Sequence, residues 1–292
     1  MSESWTVIKL LSWAVPYLQK YGVSTPRLDV ELLLAKVLSC DRIDLYLNYD
    51  RPTSAAERAA FKKLLIRRRE REPIAYILGQ KEFWSLPFMV NPEVLIPRPE
   101  TEHLVEAAIA IISQHYSTGG TVVDLGTGSG NILLSLAHHF QAHAGFNWLG
   151  FDLSSKAVET ASNNARLLKL ERVVFSVADL AAVRPEPDQS WNIILSNPPY
   201  IPTVELESLA TEVRKEPRNA LDGGADGLDY YRVISQRIST LLPAGGFLLV
   251  EVGDGQAEKV RVLLAEQNPH SLDTALDLQG IERVVIGRWI KS

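Results

Sequence analysis

The tetrapeptide Asn197-Pro198-Pro199-Tyr200 sets two hydrogen-bond acceptors and an aromatic ring in one short stretch, directly after the apolar run Trp191-Asn192-Ile193-Ile194-Leu195-Ser196. Two consecutive prolines remove two backbone N–H donors, and a residue before proline is driven to an extended conformation. The result is a stiff, acceptor-rich segment. The Asn197 side-chain oxygen and the Pro198 carbonyl can each take one proton of an NH2 group, and Tyr200 offers an aromatic face to a flat substrate group. Such a site suits an amide or aryl amine nitrogen, a poor nucleophile because its lone pair is delocalised. Two acceptors on its hydrogens orient that nitrogen and stabilise the positive charge that grows on it when it attacks an electrophile. Neither a metal nor a nucleophilic side chain is required.

Three further signals point to a small ligand. Asp124-Leu125-Gly126-Thr127-Gly128-Ser129-Gly130 follows the strand-like Thr121-Val122-Val123 and precedes the helical Asn131-Ile132-Leu133-Leu134. Glycines there permit a sharp turn and a close approach of ligand to backbone. The spacing is G-x-G-x-G, whereas a dinucleotide fingerprint is G-x-G-x-x-G, and Asn131 holds the place of that third glycine. Asp152 ends the strand candidate Trp148-Leu149-Gly150-Phe151 and can accept from two ribose hydroxyls; its plainer reading is an N-cap for a helix beginning near Ser154. Asp179, in Ala178-Asp179-Leu180 after Val173–Val177, can accept from an adenine amino group with Leu180 covering the ring, or be a loop carboxylate.

The elements that must position these residues are legible in outline. From about Trp5 to Tyr21 the apolar spacing is helical, with Pro16 an expected kink or break. Pro26 opens a second helix. It runs through Leu32-Leu33-Leu34 to Leu38, near which Cys40 is expected as a small packing residue. Ser54 with Glu57 is a capping-box pattern starting a third helix, which ends in Arg67-Arg68-Arg69-Glu70-Arg71-Glu72. That run reads either as a solvated helix end or as a patch for an acidic or RNA-bearing partner. Ile74 to Pro97 reads as a β-hairpin turning at Asn91-Pro92. Strands are then expected at Thr121–Asp124, Asn147–Phe151, Val173–Val177, Asn192–Ser196, Gly246–Val252, Ser271–Leu276 and Arg283–Ile290. Helices fall between most of them, notably Asn131–His139, Ser154–Leu168 and Tyr230–Leu242. Alternation of this kind predicts an α/β fold with a mostly parallel, doubly covered sheet. The last two strands lack an intervening helix and predict an antiparallel C-terminal edge.

Composition narrows the class. Of 292 residues 46% are hydrophobic and 22% charged, which suits a globular chain with a substantial core. The net charge of −5 weighs against a protein whose main task is gripping a phosphate backbone. The single cysteine excludes an intramolecular disulfide. No apolar run is long enough to span a bilayer, the N-terminus lacks a secretory pattern, and a cytoplasmic protein is expected. His139 and His143 lack carboxylate or cysteine partners nearby and read as exposed rather than as metal ligands.

The pairing of Asp124–Gly130 with Asn197–Tyr200 resembles S-adenosylmethionine-dependent N-methyltransferases that act on planar NH2 groups. Three segments narrow the resemblance: Glu72-Pro73-Ile74-Ala75-Tyr76-Ile77-Leu78-Gly79 followed by Phe83-Trp84-Ser85-Leu86-Pro87-Phe88; Val94-Leu95-Ile96-Pro97-Arg98-Pro99-Glu100-Thr101-Glu102; and Glu216-Pro217-Arg218-Asn219-Ala220-Leu221-Asp222-Gly223-Gly224-Ala225-Asp226-Gly227-Leu228. Together they resemble the HemK/PrmC family of release factor glutamine methyltransferases over nearly the whole chain. The resemblance implies a helical substrate-recognition domain (1–73), a β-hairpin linker (74–97) and a Rossmann-like, seven-stranded methyltransferase domain (98–292). The cofactor implied is S-adenosylmethionine, leaving as S-adenosylhomocysteine. The substrate implied is the glutamine of the Gly-Gly-Gln motif of bacterial-type release factors, methylated on N5, with no membrane and no direct nucleic acid required. By the motif match Asp124, Gly126, Thr127, Gly128, Ser129, Gly130, Asp152, Asp179, Leu180 and Asn197 bind the cofactor. Asn197, Pro198, Pro199 and Tyr200 meet the glutamine, with Asn197, Pro198 and Tyr200 carrying the catalysis. Position 180 is Leu where some members carry an aromatic residue. The alternatives are a glutamine methyltransferase for a ribosomal protein, against which Arg98–Glu102 weighs, and a DNA or RNA base amino-group methyltransferase, against which the acidic charge weighs.

Overall fold

The computed structural model describes residues 5–187 and 189–290. They form two compact units, one made of the described residues up to Gln80 together with Ala210–Lys215, the other of Lys81–Leu209 with the described residues from Glu216 onward.

The first unit is helical: α1 (Val7–Lys20), α2 (Pro26–Leu38), α3 (Arg42–Leu47), α4 (Ala55–Arg69) and α5 (Ile74–Leu78). Leu10, Ala14 and Leu18 of α1 pack with Val30, Leu33 and Leu34 of α2, Phe61 and Leu65 of α4, and Ile77 of α5. The break expected at Pro16 is absent, and α1 runs through it. Pro16 lies on the exposed side of the helix, so the buried stripe Leu11, Ala14, Leu18 continues past it. Pro26 does sit in the first turn of α2. The capping box of α4 forms as read, Glu57 N donating to Ser54 Oγ at 3.1 Å and Ser54 N to Glu57 Oε2 at 2.7 Å. Helices α3 and α5 are each under two turns, too short to show a period.

The arginine run at the end of α4 is only in part a solvated helix end: Arg67 and Glu70 are exposed, while Arg68 is an internal tie. Arg68 is 3% exposed and donates to Asp29 Oδ2 at 2.6 Å and to Glu212 Oε1 at 3.0 Å. Arg71 donates to both oxygens of Glu212, at 2.7 and 2.6 Å. Arg67 pairs with Glu72, and Arg69 donates to Tyr17 Oη at 3.2 Å. Arg68 and Arg71 tie the helical unit together, and Glu212 arrives from the short Ala210–Lys215 segment.

Next come strands β1 (Gln80–Phe83) and β2 (Leu86–Met89), which pair as a hairpin. Its turn is Trp84-Ser85, at φ 52° and 56°, and not the expected Asn91-Pro92. Two successive left-handed residues make the tight turn that matches strand twist. That turn lets Phe83 and Phe88 meet edge to face at 6.1 Å in the core. Then follow α6 (Glu102–His115), β3 (Gly120–Leu125), α7 (Asn131–His139), β4 (Phe146–Asp152), α8 (Ser155–Leu167), β5 (Val173–Val177) and β6 (Ile193–Ser196). The chain ends with α9 (Asp229–Gln236), α10 (Ile238–Leu241), β7 (Gly245–Glu251), α11 (Ala257–Ala265), β8 (Ser271–Leu276) and β9 (Glu282–Ile290).

The seven strands order as β5-β4-β3-β6-β7-β9-β8. β3 through β7 are parallel, and β9 runs antiparallel to both β7 and β8. This is the mostly parallel sheet with an antiparallel C-terminal edge that the sequence predicts. The apolar strand runs divide by alternation. Val122, Ile193, Leu195, Phe247 and Leu249 pack on the face carrying Leu104, Val105, Ala108 and Leu133 of α6 and α7. Val123, Ile194, Leu248 and Val250 pack on the face carrying Tyr231, Ile234, Ile238 and Val260 of α9 to α11. A strand buried on both faces needs a continuous apolar run. After β3 the chain moves to one side for β4 and β5, then crosses to the other for β6. The carboxyl ends of β3, β4 and β6 therefore flank a reversal of strand order, where open α/β sheets bind ligands.

Candidate active site

One cavity opens at that reversal. The glycine loop after β3 contributes Gly126, Thr127, Gly128 and Ser129; β4 contributes Asp152; the turn after β5 contributes Asp179 and Leu180; the end of β6 contributes Asn197, Pro198 and Pro199. The structure thus brings ten of the sequence-selected residues to one wall. Asp124, Gly130 and Tyr200 lie outside that lining. Asp124 is fully buried behind the loop, where Thr127 Oγ1 donates to its Oδ2 at 2.7 Å and its Oδ1 has no partner. Burial pushes its carboxyl up to about 7. Gly130 has φ 79°, and a Cβ there would meet Phe175, Ala161 and Leu134 at 3.0–3.1 Å, so it serves packing of the loop onto α7 and α8.

Asp152 is not the N-cap of α8 but ties two backbone segments together. Gly128 N donates to its Oδ2 at 2.9 Å, fixing the glycine loop, and Ser154 N donates to its Oδ1 at 2.9 Å, fixing the start of α8. The N-cap itself is Ser154, whose Oγ accepts from Ala157 N at 3.2 Å. Asp179 is exposed, and its Oδ1 accepts from Ala181 N at 2.8 Å.

The acceptor loop is held from several sides. Ser196 Oγ donates to Leu125 O at 2.7 Å, tying the residue before Asn197 to the residue before Gly126. Asn197 Nδ2 donates to Thr101 Oγ1 at 3.1 Å. Ile201 N donates to Leu221 O at 3.0 Å, and Gly223 N to Ile201 O at 2.8 Å. Gln256 Nε2 donates to Tyr200 O at 2.9 Å while its Oε1 accepts from Gly253 N at 3.0 Å. Gly223 and Gly227 lie so close that a Cβ would meet Tyr200 Cα at 2.8 Å and Tyr200 O at 2.3 Å respectively. This is the physical content of the Asp222–Leu228 segment. Burial, with the nearby Glu251 charge, pushes the Tyr200 phenol up to about 12.

The Arg98–Glu102 segment is more than a helix start. Arg98 pairs with the buried Glu216, which also accepts from Ile96 N at 3.0 Å. Thr101 holds Asn197, and Glu102 Oε1 accepts from Trp84 N at 2.8 Å. Residues the sequence reading missed complete the frame. Asn164 Nδ2 donates to Ser129 O at 2.9 Å and to Met89 O at 3.0 Å, pinning the glycine loop to β2. Arg237 donates to the Leu180 carbonyl, and to Val183 O at 2.6 Å, fixing the turn after β5. Glu251, at the end of β7, is 2% exposed, and burial pushes its carboxyl up to about 7 against the hydrogen bonds of Thr101 and Asn197. None of these has a local motif; only three-dimensional proximity marks them. Among the described residues no His, Cys, Asp and Glu group could hold a metal ion, and no helix is long and apolar enough to cross a membrane.

Comparison with known proteins places this geometry. Residues 9–79 match the family model of the PrmC N-terminal domain, and residues 117–276 that of a methyltransferase domain. The chain is 44% identical over 287 residues to the release factor glutamine methyltransferase of Geobacter sulfurreducens, covering 98% of each. It is 41% identical over 282 residues to that of Rhodospirillum rubrum, covering 96% of this chain and 84% of the relative. Among solved structures, the human methyltransferase 10 domain containing protein aligns with a TM-score of 0.52 at 15% identity, over 72% of this chain and 90% of that one, a likeness of fold.

Proposed function

The chain belongs to the family of release factor glutamine methyltransferases, and from that premise we propose that it transfers the methyl group of S-adenosylmethionine to the side-chain nitrogen of the glutamine in the Gly-Gly-Gln motif of a release factor. The observation that carries this reading is that Asn197, Pro198 and Pro199 line the same cavity as the glycine loop and Asp152. Acceptors for an amide NH2 therefore stand beside a nucleoside-type ligand site.

The residues fit that cofactor. Gly126 and Gly128 have φ 76° and 54°, and a Cβ at either would meet nothing within 4 Å, so their bare backbone borders open space. The carboxylate of Asp152 keeps lone pairs for ribose hydroxyls beyond its two backbone bonds. Asp179 has one oxygen beyond the turn bond to Ala181, suited to an adenine amino group, with Leu180 beside it on the wall. When bound, S-adenosylmethionine supplies an electrophilic methyl on a sulfonium.

The remaining work falls to the chain. Asn197 Oδ1 and the Pro198 carbonyl accept the two amide hydrogens and aim the nitrogen. As the C–N bond forms and the methyl leaves sulfur, positive charge develops on that nitrogen and both acceptors strengthen on it; one of its two hydrogens is then lost as a proton to water, leaving the neutral N-methyl amide. Pro198 and Pro199 carry no N–H to repel the substrate's NH2, and the carbonyl of Tyr200 is held by Gln256. The loop is thus oriented before substrate arrives, which lowers the entropic part of the barrier.

Methyl transfer from radiolabelled S-adenosylmethionine to three acceptors tests the reading: a purified release factor, the same factor with the Gly-Gly-Gln glutamine changed to alanine, and duplex DNA. Label on the intact factor alone is expected. Label on DNA, or on the alanine form equally, would overturn the substrate assignment.

A further inference from the structure

Glu251 is a carboxylate with no evident reason to be where it is. It closes β7 in a position 2% exposed to solvent, and its Oε2 has no hydrogen-bond partner. Burying an ionisable group with an unsatisfied oxygen costs stability, and an apolar residue would fill the space at lower cost. Its place in the sheet is specific, however. β6 and β7 are parallel neighbours with Ser196 opposite Val250, so the next residues along, Asn197 and Glu251, leave the sheet side by side. Burial raises the Glu251 carboxyl, and the polar groups of Thr101 and Asn197 pull it back down.

Thr101 is itself 2% exposed, and its Oγ1 accepts from Asn197 Nδ2 at 3.1 Å. A hydroxyl that accepts through its oxygen still has a proton to donate. The three groups can therefore form a directed chain: the Asn197 NH2 donates to the Thr101 oxygen, and the Thr101 proton is left for the unpartnered Glu251 Oε2.

The chain solves a problem that Asn197 poses. The two ends of a primary amide have nearly the same shape, so sterics alone do not decide which end faces the substrate. With Oδ1 outward, Asn197 accepts a proton from the substrate amide. With Nδ2 outward, two donors face each other and the site repels its substrate. Thr101 cannot choose between these, because a hydroxyl donates or accepts equally well. Above about 7, the value to which burial raises it, the Glu251 carboxyl is ionised and can only accept. Placed at the end of the chain, it obliges Thr101 to donate inward and accept from Asn197, and it rejects a flipped amide that would bring Oδ1 toward it.

We propose that Glu251, acting through Thr101 and directly on the amide, is the positioning residue that keeps Asn197 Oδ1 on the substrate side. The inference rests on the glutamine-methylation reading, since it takes the acceptor role of Asn197 as given.

Glu251→Gln tests it with almost no change of shape. A glutamine at 251 can donate as well as accept, so it tolerates either orientation of Asn197. At a pH well above the raised Glu251 value, so that its carboxyl is ionised, single-turnover methyl transfer to the release factor is measured for the wild type, Glu251→Gln, Thr101→Val, Asn197→Ala and the two double variants with Asn197→Ala, with cofactor affinity by calorimetry and Tm by scanning. Glu251→Gln is expected to slow transfer by roughly 10-fold or more, with cofactor Kd within about 2-fold. In the Asn197→Ala background the same substitution should have no further effect, because what it orients is gone. Thr101→Val, which breaks the middle of the chain, should be silent in that background too. A wild-type rate for Glu251→Gln, or an equal loss in both backgrounds, overturns the proposal and reduces Glu251 to a packing residue. A wild type that labels no release factor overturns the functional reading first, a result distinct from an active wild type with an additive cycle.

Discussion

In Gly227→Ala a single methyl group is driven against the backbone of Tyr200. Gly227 has φ 77°, and the new Cβ would stand 2.3 Å from Tyr200 O and 2.7 Å from Gln256 Nε2. Two costs add. The left-handed conformation itself costs an alanine ~1–2 kcal/mol. The contact must also open by roughly 1 Å to reach van der Waals distance, and the backbone oxygen can yield only by moving the acceptor loop. A displacement of about that size at reacting groups costs ~10²-fold in rate. Gly280→Ala separates the two, since Gly280 has φ 81° with nothing within 4 Å of the new Cβ, in the turn between β8 and β9. Both variants should lose stability in urea titrations. Only Gly227→Ala should lose kcat, by ~10²-fold, with cofactor Kd by calorimetry unchanged. Equal turnover in the two variants would refute the argument that close packing of Gly227 holds the loop in register.

Three further outcomes are expected. Asp152→Ala removes the acceptor of both Gly128 N and Ser154 N and should weaken cofactor binding by ~1–3 kcal/mol; unchanged affinity by calorimetry would confine Asp152 to ordering the start of α8. Asn197→Ala should leave cofactor affinity intact and cut turnover by ~10²-fold or more, and near-normal kcat at saturation would remove it from the acceptor role. Burial raises the Asp124 carboxyl from an ordinary 3.8 to about 7. Between those values the folded chain keeps a proton that the unfolded chain has released, so this group's contribution to stability falls as pH rises through the window. The urea midpoint of Asp124→Asn should therefore climb relative to wild type between about pH 5 and pH 7, and a difference that is flat or falls with pH would show that Asp124 titrates normally.

The parts of the site that were legible in sequence are those whose chemistry is local. A glycine loop between an apolar strand and a helix, and two prolines after an asparagine, constrain their own backbone, so Gly126–Ser129 and Asn197–Pro199 could be placed without a fold. Strands β3 and β6 were equally plain, because burial on both faces leaves an uninterrupted apolar run. Partners chosen by topology left no such trace. Thr101 and Asn197 are 96 residues apart, and Asn164 and Ser129 are 35 apart. Glu251 reads as one more polar residue ending a strand until β7 lies beside β6. The hairpin was misread for a related reason. Asn91-Pro92 has the better turn chemistry, but the pairing of Phe83 with Phe88 in the core fixed the turn at Trp84-Ser85 instead.

The helical unit takes one of its carboxylates from far along the chain. Arg68 and Arg71 share Glu212, which lies in Ala210–Lys215, well past the glycine loop and the acceptor loop of a 292-residue chain. Synthesis proceeds from the N-terminus, and domains generally fold as units once their residues are out. Here the apolar core lies wholly between Val7 and Ile77, but the ion-pair network does not. Until residue 212 has left the ribosome, Arg68 has Asp29 but lacks its second carboxylate, and Arg71 has Gly22 O for its Nη1 but lacks the carboxylate that takes its Nε and Nη2. The ion-pair network of the N-terminal helices therefore closes late, after four of the seven strands of the sheet have been made. For the same reason no single cut in the chain yields them complete: a fragment ending at Gln80 would carry the arginines without their anchor.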